Sequence, residues 1–130
     1  MSDESFEKGM AVIADLFMPT GSEAPKQPPY PEEIAEDFAR LSVSTVMGDV
    51  WGRPGLDKSK KAIVTISALT VTGKTAQLKS YIAAALNLGI PREEICEVIL
   101  HVSVYGGFPA AIEALGVAKE VFDARDAEES

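Results

Sequence analysis

An all-α fold of about six helices is predicted for this 130-residue chain, on three observations. Apolar residues recur three and four positions apart almost throughout, the period of helices buried on one face. Pro and Gly divide the chain into six such segments. The one short alternation, Val102-Ser103-Val104-Tyr105, continues the helical pattern before it and is read as helix.

Phe6, Met10, Ile13 and Phe17 give a first helix of about four turns, ending before Pro19. Residues 19–30 are rich in Pro, Gly and Ser and are read as a loop. Pro31 suits the first position of a second helix, whose stripe of Ile34, Phe38, Leu41 and Thr45 runs on to Val50 and Trp51. Gly52-Arg53-Pro54-Gly55 then turns the chain, and Asp57 can cap a third helix over about 58–72. That helix is apolar on most faces and is expected to be central and buried, with Lys58, Ser59, Lys60 and Lys61 as its solvated start. Gly73 ends it and Thr75 can cap a fourth helix with Leu78, Tyr81, Ile82 and Ala85 inward. Gly89 stops the fourth helix and Pro91 opens the fifth, with Ile95, Val98, Ile99 and Val102 as its core face. After Gly106-Gly107, Pro109 opens a sixth helix with Ala111, Leu115, Ala118 and Phe122 inward, and residues 124–130 form an acidic tail. Alanines at 83–85, 110, 111 and 114 allow close helix approach. The length suits one domain over 1–130, and the density of apolar positions predicts homo-oligomerisation.

A net charge of -8 argues against a nucleic-acid partner, which needs a concentrated basic surface. One cysteine excludes an intrachain disulfide. The acidic, polar start is unlike a signal peptide, and no apolar run approaches the roughly 20 residues that span a bilayer. A soluble, cytoplasmic protein without a membrane partner is expected. One histidine and one cysteine cannot form a closed zinc site, and no glycine-rich phosphate loop is present.

Few side chains remain for chemistry. Glu97 and His101 are one turn apart on the fifth helix, where a carboxylate can orient an imidazole for acid–base work; a surface ion pair, or a core-edge histidine satisfied by a carbonyl, is the alternative. Tyr105 follows one turn later. Tyr81 is either a packed core tyrosine or a hydrogen-bond donor to a site. Asp49, Trp51 and Arg53 stand at the end of the second helix, where Arg53 can hold a substrate carboxylate in a bidentate fork or simply occupy a surface turn. Cys96, beside the core face of its helix, reads as an inert thiol.

Two blocks resemble the carboxymuconolactone decarboxylase family. Met47-Gly-Asp-Val-Trp-Gly-Arg-Pro-Gly-Leu-Asp57 is similar to the family's W-G-E-V-W-x-R-P-G-L-D. Ala85-Leu-Asn-Leu-Gly89, Glu93-Glu-Ile95 and Glu97-Val-Ile-Leu-His-Val-Ser-Val-Tyr-Gly-Gly-Phe-Pro-Ala-Ala111 resemble A-L-N-N-G, E-E-I and E-V-L-L-H-x-A-V-Y-A-G-F-P-A-A. The resemblance implies an all-helical fold of the alkylhydroperoxidase D-like type, assembled as a homotrimer or homohexamer with cavities at subunit contacts. It also implies cofactor-independent conversion of a small carboxylated lactone to an enol-lactone and CO2, as in 4-carboxymuconolactone decarboxylase.

This chain departs from the family at identifiable positions. In the register set by Ala85-Leu86-Asn87, the two cysteines of the thiol-peroxidase branch fall at Lys74 and Gln77, its histidine at Tyr81 and its glutamate at Ala62. That mechanism is excluded. The decarboxylase branch also usually carries histidine where Tyr81 stands. A phenol is mainly a donor at neutral pH, so His101 is left as the conventional proton shuttle. The expectation is a decarboxylase or isomerase using His101, Tyr81 and Glu97, with Arg53, Trp51, Asp49 and Tyr105 binding a small enolisable acid. The alternative is an oligomeric member that binds a ligand without turning it over. A redox role for Cys96 across a subunit contact is a third reading.

Overall fold

The computed structural model describes residues 3–17 and 29–130, all of whose regular structure is helical. The loop expected over 19–30 lies mostly outside the described residues. The chain divides into two compact units, Met1–Asp57 and Lys58–Ser130.

In the first unit, α1 (Asp3–Phe17) buries Gly9, Val12 and Leu16. Pro31 precedes α2 (Glu32–Ser42), and its carbonyl accepts the amides of Ile34 and Ala35. The expected stripe of α2 exists but is not buried: Ile34, Phe38 and Leu41 are each about half exposed. Its continuation is also corrected, because the α-helix gives way at Val43 to a π-helix, Val43–Val50. Here amides reach five residues back, and Trp51 N donates to the Val46 carbonyl at 2.9 Å. The wider turn changes the phase, so Ser44, Met47, Gly48 and Trp51 are buried while Thr45 and Val50 face outward. α1 packs on the π-helix. The Arg40 guanidinium ties α2 to α1, reaching Asp3 at 3.2 Å and lying 4.7 Å from the Phe6 ring centre.

The second unit is four helices: α3 (Lys58–Val71), α4 (Thr75–Asn87), α5 (Arg92–Gly106) and α6 (Phe108–Glu129). α3 touches all three others and is central to the unit, but only Ala62, Ile66 and Thr70 are buried. The expected all-round burial is not observed, and Val64 is 59% exposed. Part of the reason is that α3 carries hydroxyls on its flanks: Thr65 and Ser67 donate to the carbonyls of Lys61 and Ile63, four residues back. Thr75 is the first residue of α4 and not its cap; Lys74 holds the cap position without a side-chain bond.

Ile66, Leu78, Ile82, Ile95 and Ile99 are almost fully enclosed and form the core, each worth about 1.5–3 kcal/mol of burial. α6 closes it with Ala111, Ala114, Ala118 and Val121. The predicted inward Leu115 and Phe122 sit one position off this face; Leu115 is exposed, and Phe122 packs beneath the Arg92 guanidinium, 5.0 Å from its ring centre. The acidic end is helical through Glu129 and is not a tail. Asp126 forms a two-pronged pair with Arg92, and that hydrogen-bonded guanidinium holds its carboxyl below the usual range. Arg125 adds a bond to the Ala83 carbonyl at 3.5 Å.

Two glycines set the turn that follows α5. A β-carbon at Gly106 would lie 2.4 Å from Val71 Cγ1, so the ends of α5 and α3 meet only because Gly106 has none. Gly107 adopts φ 96°, which favours glycine, and turns the chain into α6. No helix among the described residues is long and apolar enough to cross a membrane.

Thr70 is 2% exposed and its hydroxyl finds no partner among the described residues. A buried unsatisfied hydroxyl costs about 1–3 kcal/mol. Thr70→Val removes the hydroxyl at nearly constant shape and is expected to raise the unfolding free energy by about 1 kcal/mol in denaturant titrations. A loss of stability would mean that the hydroxyl is satisfied.

Candidate functional site

His101 lies on the exposed side of α5, with Glu97 one turn before it and Tyr105 one turn after. The imidazole and the Tyr105 ring are 5.7 Å apart between centres and tilted by 42°. Among the described residues no hydrogen bond or ion pair joins Glu97 to His101, so the orienting contact expected from their spacing is not formed. The ring of Tyr105 is the neighbour that the imidazole has. Leu100 and Val104 on the same helix, and Phe108 and Ile112 at the start of α6, are all more than half exposed.

Tyr81 is on α4, between the buried Leu78 and Ala85, and is half-buried. Desolvation raises its phenol above the ordinary tyrosine value. It therefore stays a neutral donor across the physiological range. Cys96 is half-buried and not in a disulfide.

The other three predicted residues belong to the first unit. Asp49 is engaged: the Ser5 hydroxyl donates to its Oδ1 at 2.5 Å. Trp51 is 7% exposed and packs into the unit. Arg53 follows at the surface, its amide donating to the Val50 carbonyl at 3.2 Å. Among the described residues, no three His, Cys, Asp or Glu side chains gather as a metal site would require.

The helical architecture and these residues coincide with a known family. The family model described as "Carboxymuconolactone decarboxylase family" matches residues 36–120, well over half of the chain. The protein belongs to the carboxymuconolactone decarboxylase family. A 4-carboxymuconolactone decarboxylase of Acinetobacter baylyi is 38% identical over 90 residues, 69% of this chain and 67% of its own. A nitrosuccinic acid decarboxylase of Metarhizium robertsii is 34% identical over 125 residues, 91% of this chain and 81% of its own. An uncharacterized 15.0 kDa protein of Paracoccus denitrificans is 39% identical over 83 residues, 62% of each chain. Membership in the carboxymuconolactone decarboxylase family covers Asp49, Trp51, Arg53, Tyr81, Glu97, His101 and Tyr105, all of which fall inside the matched span.

Two features of the site region escape sequence reasoning. The π-helix leaves the apolar spacing ambiguous, and only Gly48, at a buried position among larger residues, marks it. The Ser5–Asp49 bond joins residues 44 positions apart and has no local signal.

The raised phenol of Tyr81 has a consequence for stability. The folded state disfavours the phenolate, so the unfolded chain ionises first, and stability falls as pH rises above the unfolded tyrosine value while remaining unaffected below it. Tyr81→Phe is expected to flatten this alkaline loss in unfolding curves measured from neutral to alkaline pH. An unchanged alkaline slope would show that Tyr81 is not desolvated.

Proposed function

We propose that this protein is a cofactor-independent decarboxylase acting on a small carboxylated acid whose departing CO2 leaves an electron pair that a carbonyl or nitro group can accept. The observation that carries the reading is the sole histidine on an exposed helix face within a family whose named relatives act on carboxymuconolactone and on nitrosuccinic acid. In both compounds, loss of CO2 places charge on oxygen, as an enolate or a nitronate.

In this reaction the bond between carbon and carboxylate breaks, CO2 leaves, and the electron pair delocalises onto the acceptor oxygen. Tyr81, kept neutral by burial, donates a hydrogen bond to that oxyanion and has no need to ionise. His101 delivers a proton to carbon and regains one from solvent, so one proton is consumed per CO2. Glu97 stands one turn before the imidazole on the same helix, and the Tyr105 ring flanks one side of it. Arg53, exposed in the turn after the π-helix, has the fork geometry to receive a carboxylate.

The exposed apolar side chains Leu100, Val104, Phe108 and Ile112 support self-association, as a homotrimer or homohexamer. A cytoplasmic location is part of the same proposal.

His101→Ala is expected to lower kcat/KM for CO2 release from 4-carboxymuconolactone or nitrosuccinic acid by roughly 10²–10⁴-fold. Sedimentation should show the same oligomer as wild type. Equal activity in the variant would remove His101 from the mechanism. The tyrosine at 81, where the family usually has histidine, favours one second reading, a member that binds such acids without reaction; ligand-induced thermal stabilisation with no CO2 from either compound would decide for it.

A further inference from the structure

Among the described residues, α1 and the π-helix approach each other closely at two glycines, with a hydrogen bond beside one of them. A β-carbon at Gly9 would lie 2.1 Å from the Val43 carbonyl oxygen, and one at Gly48 would lie 2.0 Å from the Ser5 carbonyl oxygen. The Ser5 hydroxyl donates to Asp49 beside the second meeting. Ser5 and Gly9 are four residues apart on α1, one α-turn; Val43 and Gly48 are five apart, one π-turn. In an α-register the residue one turn after Val43 would be Met47, whose side chain would have to fill the place where Gly48 leaves room only for hydrogen. The glycines therefore match the wide register and oppose the ordinary one.

We propose that α1 is a splint that keeps residues 43–50 in π-form and so sets where the chain delivers Trp51 and Arg53. An α-helix turns about 100° per residue, so relaxing the π-helix by one residue would swing the segment that follows by an angle on that order. Gly9, Gly48 and Asp49 are on this account positioning residues. Asp49 acts by holding α1 and not by touching substrate. The inference rests on the proposed role of Arg53 as the carboxylate-binding residue.

Trp51 is the only tryptophan, and its amide closes the last π-type bond, to Val46, so it reports the register directly. Hydrogen exchange at the Trp51 amide, tryptophan emission, and steady-state kinetics with nitrosuccinic acid and 4-carboxymuconolactone test the proposal in Gly48→Ala, Ser5→Ala and Arg53→Ala. Gly48→Ala is expected to speed Trp51 amide exchange, move its emission to longer wavelength and raise KM more than it lowers kcat. Ser5→Ala adds no bulk and keeps the test sound should Gly48→Ala fail to fold; it should produce the same pattern, with roughly a tenfold rise in KM from the lost bond to a carboxylate. Arg53→Ala should raise KM while leaving the Trp51 amide and emission as in wild type. Wild-type exchange and emission in folded Gly48→Ala and Ser5→Ala would overturn the splint. An unchanged KM in Arg53→Ala, or a wild type inactive on both compounds, would overturn the functional reading instead, and the Trp51 measurements would still decide the splint.

Discussion

A methyl group added at Gly48 would lie 2.0 Å from the Ser5 carbonyl oxygen, and one at Gly106 would lie 2.4 Å from Val71 Cγ1. These meetings of helix against helix, possible only where a β-carbon is missing, fix the segments that carry the candidate residues. In the first unit they keep a π-helix wide at the point where the chain is about to deliver Trp51 and Arg53. In the second they seat the last turn of α5, which bears Tyr105 one turn after His101, against the end of α3. Alanines serve the same purpose at the core, where Ala111, Ala114 and Ala118 bring α6 onto the enclosed isoleucines and Leu78. Such contacts involve backbone and stiff β-branched side chains, so substitutions there displace whole helices.

The chemistry proposed for this protein depends on a contrast between two side chains in the second unit. Tyr81 is desolvated and held neutral; His101 is on an open face beside Tyr105. A phenol that resists ionisation serves a developing oxyanion as a donor, and an imidazole can move a proton near neutral pH. Decarboxylation needs both services and no oxidant. The chain has one cysteine and so lacks the pair that thiol peroxidation would use.

Much of the fold was legible in the sequence because its punctuation is local. Pro31, Gly73, Gly89, Pro91 and Gly107 mark helix ends through their own backbone geometry, and the structure has the helices where those residues put them. Phase within a helix was less legible. The inward face of α6 falls on Ala114 and Val121 because alanine permits closer packing than Leu115 or Phe122, and hydropathy alone ranks those larger residues first. The π-helix was invisible because one extra residue per turn alters the period that sequence reading assumes, and Asp126 looked like part of a solvated tail because its partner, Arg92, lies 34 residues away. Among the candidate residues, the spacing of Glu97 and His101 placed them one turn apart on α5, but proximity did not produce a hydrogen bond, and their exposure could not be read from spacing beside an apolar stripe. The engagement of Asp49 by Ser5 depends on tertiary approach and could not be read locally.

The central claim is that the carboxylate carbon leaves the substrate through a step that His101 completes. The direct measurement is the appearance of labelled bicarbonate from nitrosuccinic acid or 4-carboxymuconolactone carrying carbon-13 in the departing carboxyl group, followed over time by NMR with wild type and His101→Gln. The account predicts that with at least one of the two acids label is released at an enzymatic rate by wild type and roughly 10²–10⁴-fold more slowly by the variant. Equal release by both proteins, or none from either acid with wild type, would contradict it.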